Sequence, residues 1–270
     1  SSHNIEELWL GPVFKSGQTV LSAISTLPSS VTHLDLDLRN ALHLLPQAMP
    51  LLCSKTQLTT LSVRLFGDGG AIELAKWIHK NPNLKRLDLR GNRIGSVGAR
   101  AIVDALIRCP NHQLVYLNLS CNCILDGGDM MAQLLESTSN LETLDLSFNW
   151  IGNEGVAQIC KGLRKNSSLR ELNLFGCQRI SDVGLASILE CVESHNTTLW
   201  SVSVQAYDCR ANRLKKQIDH WLTLNRSGRY LLQQYDNVPS GLWPLVFEKS
   251  KDQPEALYYL LQQGVGPRIL

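Results

Sequence analysis

His33, Asp35 and Asp37 stand at alternate positions of the stretch HLDLD. An imidazole beside two carboxylates is a donor set that could hold a divalent cation or move a proton. A second stretch, LDLSFNWIG at residues 144–152, gathers Asp145, Ser147 and Asn149 with Phe148 and Trp150, and reads as a polar pocket with aromatic walls. What either constellation can do depends on the elements that position it. In a strand, alternate side chains share a face, but their Cα atoms lie roughly 6.5–7 Å apart, too far for a compact site unless a neighbouring strand helps. No phosphate-cradling loop, dinucleotide fingerprint, paired-His zinc helix or Gly-x-Ser-x-Gly elbow occurs. The chain is therefore read as non-enzymatic, with no cofactor and no metal.

The elements must come from a chain of 270 residues, 44% hydrophobic and 19% charged, the composition of a soluble globular protein with a full core. A formal net charge of +2 is too near neutrality to argue for nucleic acid or an anionic membrane, neither of which is expected as partner, and the basic residues are scattered apart from Arg210, Arg213, Lys215 and Lys216. No apolar run reaches the roughly 18–20 residues of a membrane-spanning helix. The opening SSHNIEELWL has no signal-peptide core, although a chain that starts at Ser1 leaves a removed leader open. Eight cysteines (53, 109, 121, 123, 160, 177, 191 and 209) include no Cys-x-x-Cys pair and no zinc spacing, and read as reduced, mostly buried thiols. The expected location is the cytoplasm or the nucleus. Four Asn-x-Ser/Thr sequons, at Asn118, Asn166, Asn196 and Asn225, pull toward secretion, but Asn118 falls inside a strand pattern and the signal is discounted.

LDLSFNWIG is not unique. The pattern L-x-x-L-x-L-x-x-N-x-I/L fits residues 84–94 (LKRLDLRGNRI), 114–124 (LVYLNLSCNCI) and 141–151 (LETLDLSFNWI), and degenerate copies start at 5, 31, 58, 169 and 199. Successive starts lie 26 to 30 residues apart, the mark of a repeat architecture. Gly98, Gly128 and Gly155 each follow the pattern's Asn by six residues and open an apolar segment of helical period. On these residues the stretch 1–204 resembles leucine-rich repeats of the ribonuclease-inhibitor type. The unit LRELNLFGCQRISDVGLASIL, with Cys177 in place of Asn and one inserted residue before Ile180, resembles the cysteine-containing repeats of F-box substrate receptors. Short strands stack about 4.8 Å apart and helices about 10 Å apart, so the stack must bend with its strands inside. The expected fold is α/β, a right-handed β-α horseshoe solenoid of about eight repeats over residues 1–204, with an α-helical C-terminal cap over 205–270. An amide at Asn92, Asn122 and Asn149 can donate to and accept from neighbouring backbones, whereas Cys177 offers only a weak S–H.

Past residue 204, NRLKKQIDHWLTLNRSGRYLLQQ, PSGLWPLVFEKS and PEALYYLLQQG read as three helices, with Asp252 before Pro254 as a start and Gly264 as a stop. Trp221, Leu222, Leu224, Trp243, Leu245 and Phe247 are expected to plug the open end of the solenoid. The runs LNRSGRYLL, VPSGLWPLV and LYYLLQQ resemble a C-terminal flank of uncharacterised repeat proteins of unicellular algae, a likeness that implies no activity.

Strand alternation puts a polar row set on the concave face, and the expected partner-binding residues are Trp9, His33, Asp35, Asp37, Arg64, Arg86, Asp88, Arg90, Tyr116, Asp145 and Phe175. Arg64 beside Asp37 suggests a charge ladder in preference to a metal or catalytic site. Asp88 lies between Arg86 and Arg90 and is expected to balance most of their charge. Tyr116 and Phe175 are expected as aromatic anchors, while Phe148 and Trp150 are expected to pack between turns at the ridge. The function expected is recognition of another protein by a monomer. The resemblance implies two alternatives: a regulator like the Ran GTPase-activating proteins, in which Arg64 or Arg93 would act, or a substrate receptor of a ubiquitin ligase.

Overall fold

The computed structural model describes residues 6–10, 17–37, 44–55, 57–64, 67–78, 80–109, 113–229, 243–251 and 258–259. Strand and helix alternate through β1 (Glu7–Leu10), α1 (Gly17–Ser25), β2 (His33–Asp37), α2 (Leu45–Cys53), β3 (Thr60–Arg64), α3 (Gly67–Ile78), β4 (Arg86–Asp88) and α4 (Ser96–Ile107). They continue through β5 (Tyr116–Asn118), α5 (Gly128–Ser137), β6 (Thr143–Asp145), α6 (Asn153–Leu163), β7 (Glu171–Asn173), α7 (Asp182–Ser194), β8 (Ser201–Ser203) and α8 (Cys209–Arg226), and α9 spans Trp243–Ser250. The eight strands form one parallel sheet in chain order, each paired to the next in repeat register, so Leu34, Leu61, Leu87, Leu117, Leu144, Leu172 and Val202 fall in one line. This is a β-α horseshoe solenoid.

The core lies between the sheet and the helices. Every strand contributes its inward Leu or Val, and helices α3 to α7 contribute Leu74, Ile78, Ile102, Leu106, Leu134, Ile159, Leu163, Ile188 and Val192, all nearly inaccessible. A single strand and helix could not bury these faces alone, and stacking makes them continuous. Polar side chains then close the backbone groups the turns leave open. Asn122 Oδ1 accepts from Asn92 N–H (3.0 Å) and Ile94 N–H (2.9 Å), and its amide donates to Leu89 O (3.0 Å) and Leu119 O (2.9 Å). Asn149 repeats the pattern on Leu119 O and Leu146 O, while Cys177 reaches Leu146 O through one S–H at 3.4 Å. The inserted residue is absorbed in that turn, because Ile180 still reaches the core.

Helix starts borrow their caps from the preceding unit: Asp68 Oδ1 accepts from Gly95 and Gly98 N–H (2.7 and 2.9 Å), and Asn153 Oδ1 from Ser181 and Gly184 N–H (2.9 and 3.0 Å). Three sequon asparagines form a second ladder at the helix ends. Asn166, Asn196 and Asn225 donate to Leu135 O, Leu163 O and Asn196 O at 2.8, 2.8 and 3.1 Å, and Asn166 and Asn196 also accept from N–H groups two and three residues on. All four sequon asparagines are buried, so none can carry a glycan in the folded chain.

Helix α8 lies against α7 and buries Ile218, Leu222 and Leu224, with Asp208 Oδ1 capping it through Ala211 N–H at 2.7 Å. It ends at Arg226 instead of running to residue 234, because the chain turns at Gly228 (φ +94°). Beyond it Arg229 turns back, donating to Val192 O (2.7 Å) and Glu193 O and stacking on Trp221 at 4.3 Å. Trp221 is half-buried between Arg229 and the ring of Tyr259. Leu245 and Phe247, on α9, are exposed and not buried in the core as expected of plugs. The side chain of Trp243, and Asp252, Pro254 and Gly264, lie outside the described residues; of the third expected helix only Tyr258 and Tyr259 are described, and they are helical. Among the described residues no helix is long and apolar enough to cross a membrane.

Candidate functional site

Helices cover one face of the sheet, and the other carries three rows of side chains. The first row runs Glu7, His33, Thr60, Arg86, Tyr116, Thr143, Glu171, Ser201, and the second Trp9, Asp35, Ser62, Asp88, Asn118, Asp145, Asn173, Ser203. The third begins with the Asp37–Arg64 pair and continues past the shorter strands through Arg90, Ser120, Ser147 and Phe175.

His33, Asp35 and Asp37 share the face but do not converge. His33 Nδ1 lies 2.8 Å from Thr32 Oγ1, and Asp37, almost wholly buried, pairs with Arg64 at 3.7 Å. Asp35 Oδ1 is buried without a hydrogen-bond partner. Among the described residues no three His, Cys, Asp or Glu side chains gather closely enough to hold a metal ion.

The middle row is largely engaged in shaping its own turns. Asp88 Oδ1 accepts from Arg90 N–H (2.9 Å) and Oδ2 from the Asn118 amide (3.3 Å). Asn118 Oδ1 in turn holds Ser120 N–H, Asp145 takes Ser147 N–H (2.9 Å) and the Asn173 amide (3.1 Å), and Asn173 Oδ1 holds Phe175 N–H (3.0 Å). Asp88 makes no close ion pair with Arg86 or Arg90; it stands between them with its oxygens on the Arg90 N–H and the Asn118 amide. Arg86 instead stacks on Tyr116 at 4.0 Å, a cation–π contact. Burial and the nearby Asp88 carboxylate push the Tyr116 phenol above its ordinary value.

Of the expected anchors Phe175 is exposed (44%) and Tyr116 half-buried, and Trp9 on the same face is exposed by 54%. The aromatics expected to pack at the ridge are exposed too, Phe148 by 52% and Trp150 by 49%. Phe148 meets Phe175 edge to face at 5.7 Å, and Arg179 stands 5.7 Å from the Trp150 ring. For Phe148 the cause is backbone geometry. The slot before each ladder residue, filled by Gly91, Cys121, Phe148 and Gly176, is left-handed in every case, with φ between +54° and +72°. Such a conformation costs a bulky residue about 1–2 kcal/mol and turns its side chain outward. A Phe in a slot that neighbouring units give to Gly or Cys was the signal available in the sequence. Room for its ring comes from Gly176, where an added Cβ would lie 2.6 Å from Phe148 Cδ1.

Repeat period, ladder and sheet together define a leucine-rich repeat solenoid, and the leucine-rich repeat family model matches residues 80–103, 111–130, 138–160 and 165–189. The chain carries leucine-rich repeats, and their build is ribonuclease-inhibitor-like. It is 30% identical over 121 residues to the ribonuclease inhibitor of Sus scrofa, an alignment covering 44% of the chain and 26% of the inhibitor. It is 35% identical over 132 residues to NACHT, LRR and PYD domains-containing protein 12 of Homo sapiens, covering 47% of the chain and 12% of that protein. The tropomodulin C-terminal domain of Caenorhabditis elegans has the same fold with a TM-score of 0.50 at 16% identity, covering 60% of the chain and 97% of the domain. The chain thus spans about a quarter or less of the length of these curated relatives. Repeats of this family support a protein-interaction scaffold.

Proposed function

We propose that the chain is a non-catalytic recognition scaffold that binds a partner protein on the concave face of its sheet. One observation carries the reading. The described helices that pack on the sheet lie on its far side, while the concave rows present Trp9, Arg86, Arg90, Tyr116, Glu171 and Phe175 exposed or half-exposed on a rigid frame. Aromatic and Arg side chains held this way are the usual anchors of protein interfaces, since they bury large areas at small entropic cost. Asp37, Asp88 and Asp145 add charge that is fixed in place by an ion pair to Arg64 and by hydrogen bonds to Arg90 N–H, Ser147 N–H and the Asn118 and Asn173 amides.

The test is affinity capture with the intact chain, repeated with Arg90→Glu and Tyr116→Ala. The expected outcome is a partner retained by the native chain and weakened by each substitution by about 1–3 kcal/mol, roughly tenfold or more in Kd. A partner indifferent to both substitutions would place recognition elsewhere on the molecule and overturn the reading.

A further inference from the structure

The third concave row changes character along the solenoid. Gly91 N–H donates to Ser120 O at 2.9 Å, Cys121 N–H to Ser147 O at 2.8 Å and Phe148 N–H to Phe175 O at 2.8 Å, so the turns past β4 to β7 are stitched edge to edge. Arg90 and Phe175 then stand three strand spacings apart, about 14 Å. Between them lie Ser120 and Ser147, both small and both buried, so the row dips to a floor with a cationic wall and an aromatic wall.

At the cationic end Ser62, Arg64, Asp88, Arg90 and Gly91 line a cleft of about 320 Å³. Asp88 also lines the cleft, with its oxygens on the Arg90 N–H and the Asn118 amide, and its charge offsets one of the two guanidinium groups, so the lining holds two cations against one carboxylate. Arg64 shares Asp37 at the long distance of 3.7 Å, and among the described residues the Arg90 guanidinium has no ion pair. Two adjacent guanidinium groups on one cleft favour an anion over them. At the other end Phe148 and Phe175 make an edge-to-face pair that holds nearly half of each side chain in the open, Phe148 at the cost of a left-handed backbone. Strain kept at an exposed aromatic points to recognition.

We propose that this trough docks an extended acidic segment of a partner protein, with a carboxylate in the Arg64–Arg90 cleft and a large apolar side chain against Phe148 and Phe175. At about 3.3 Å per residue, the two anchors are separated by about four residues of extended chain. The charge of the cleft selects an acidic over a basic segment, and the apolar anchor supplies the buried area that a solvent-screened ion pair lacks. The proposal rests on the concave-face reading above.

Random peptides displayed on phage and selected on the immobilised intact chain provide the test. The expected enrichment is for Asp or Glu about four residues from Phe, Leu, Trp or Met. The corresponding synthetic peptides are expected to lose about tenfold or more in affinity with Arg90→Glu and with Phe175→Ala, and to be unaffected by Val183→Ala, which is exposed on α7 outside the concave rows. Arg90 and Phe175 are exposed, so both variants are expected to fold, with thermal melting as the check. Enriched peptides that lack acidic residues, or that respond to Trp9→Ala and not to the trough variants, overturn the trough and leave the concave face standing. An absence of any peptide sensitive to a concave substitution overturns both.

Discussion

The amide of Asn122 shows how much one side chain can hold in a stacked fold. Its oxygen takes two backbone N–H groups of the preceding unit, and its nitrogen reaches carbonyls on both sides of the turn, all within a site that is almost fully buried. Removing it strands donors and acceptors that water cannot reach, and each such group costs about 1–3 kcal/mol. Cys177 fills the equivalent slot with a single S–H contact at 3.4 Å, and burial pushes its thiol above the ordinary value. Asn122→Ala is therefore expected to lower unfolding stability by about 2–4 kcal/mol and Cys177→Ala by about 1 kcal/mol, measured by urea denaturation with unchanged slope. Equal losses would mean that filling the slot matters and amide chemistry does not.

Elements stack closely only where a side chain is missing. A Cβ added to Gly128 would lie 2.2 Å from Gly155 O on the next helix, whereas one added to Gly155 would meet the Ile151 side chain at 2.9 Å. Backbone cannot yield as a side chain can, so Gly128→Ala is expected to cost about 1–3 kcal/mol and Gly155→Ala less, again by urea denaturation. Such glycines were legible in the sequence at a fixed six residues past the Asn, as were the strands, the helices and the sheet face on which Arg86, Tyr116 and Phe175 lie, because each follows from a period within one unit. What was not legible depends on the neighbouring unit. Phe148 is exposed because its slot is left-handed and Gly176 of the following unit leaves room for the ring, and Asp88 stands between its flanking arginines with its oxygens on the Arg90 N–H and the Asn118 side chain of the next strand. The end of α8 at Arg226 depended on Gly228, which a helical pattern of apolar residues on both sides concealed.

At the scale of the molecule, each unit touches its neighbours alone, so stability passes along the stack and is weakest where the stack ends. Among the described residues α8 is the last helix packed on the stack: Ile218 and Leu222 are buried against it, Asn225 donates to Asn196 O and Leu199 O, and Arg229 reaches the carbonyls of Val192 and Glu193 at the end of α7. A guanidinium at a helix C-terminus meets both the dipole and its orphan carbonyls, and burial lowers the Arg229 pKa, which shows that solvation has been given up for these contacts. The double substitution Asn225→Ala with Arg229→Ala is expected to loosen α8 first, because it removes the polar ties while keeping the apolar plug. Hydrogen exchange at low denaturant should then rise in α7, β8 and α8 with little change in α3 and α4, three to five units away. Uniform acceleration through all units would show that the solenoid opens as one cooperative body and that the ties at α8 do not act locally.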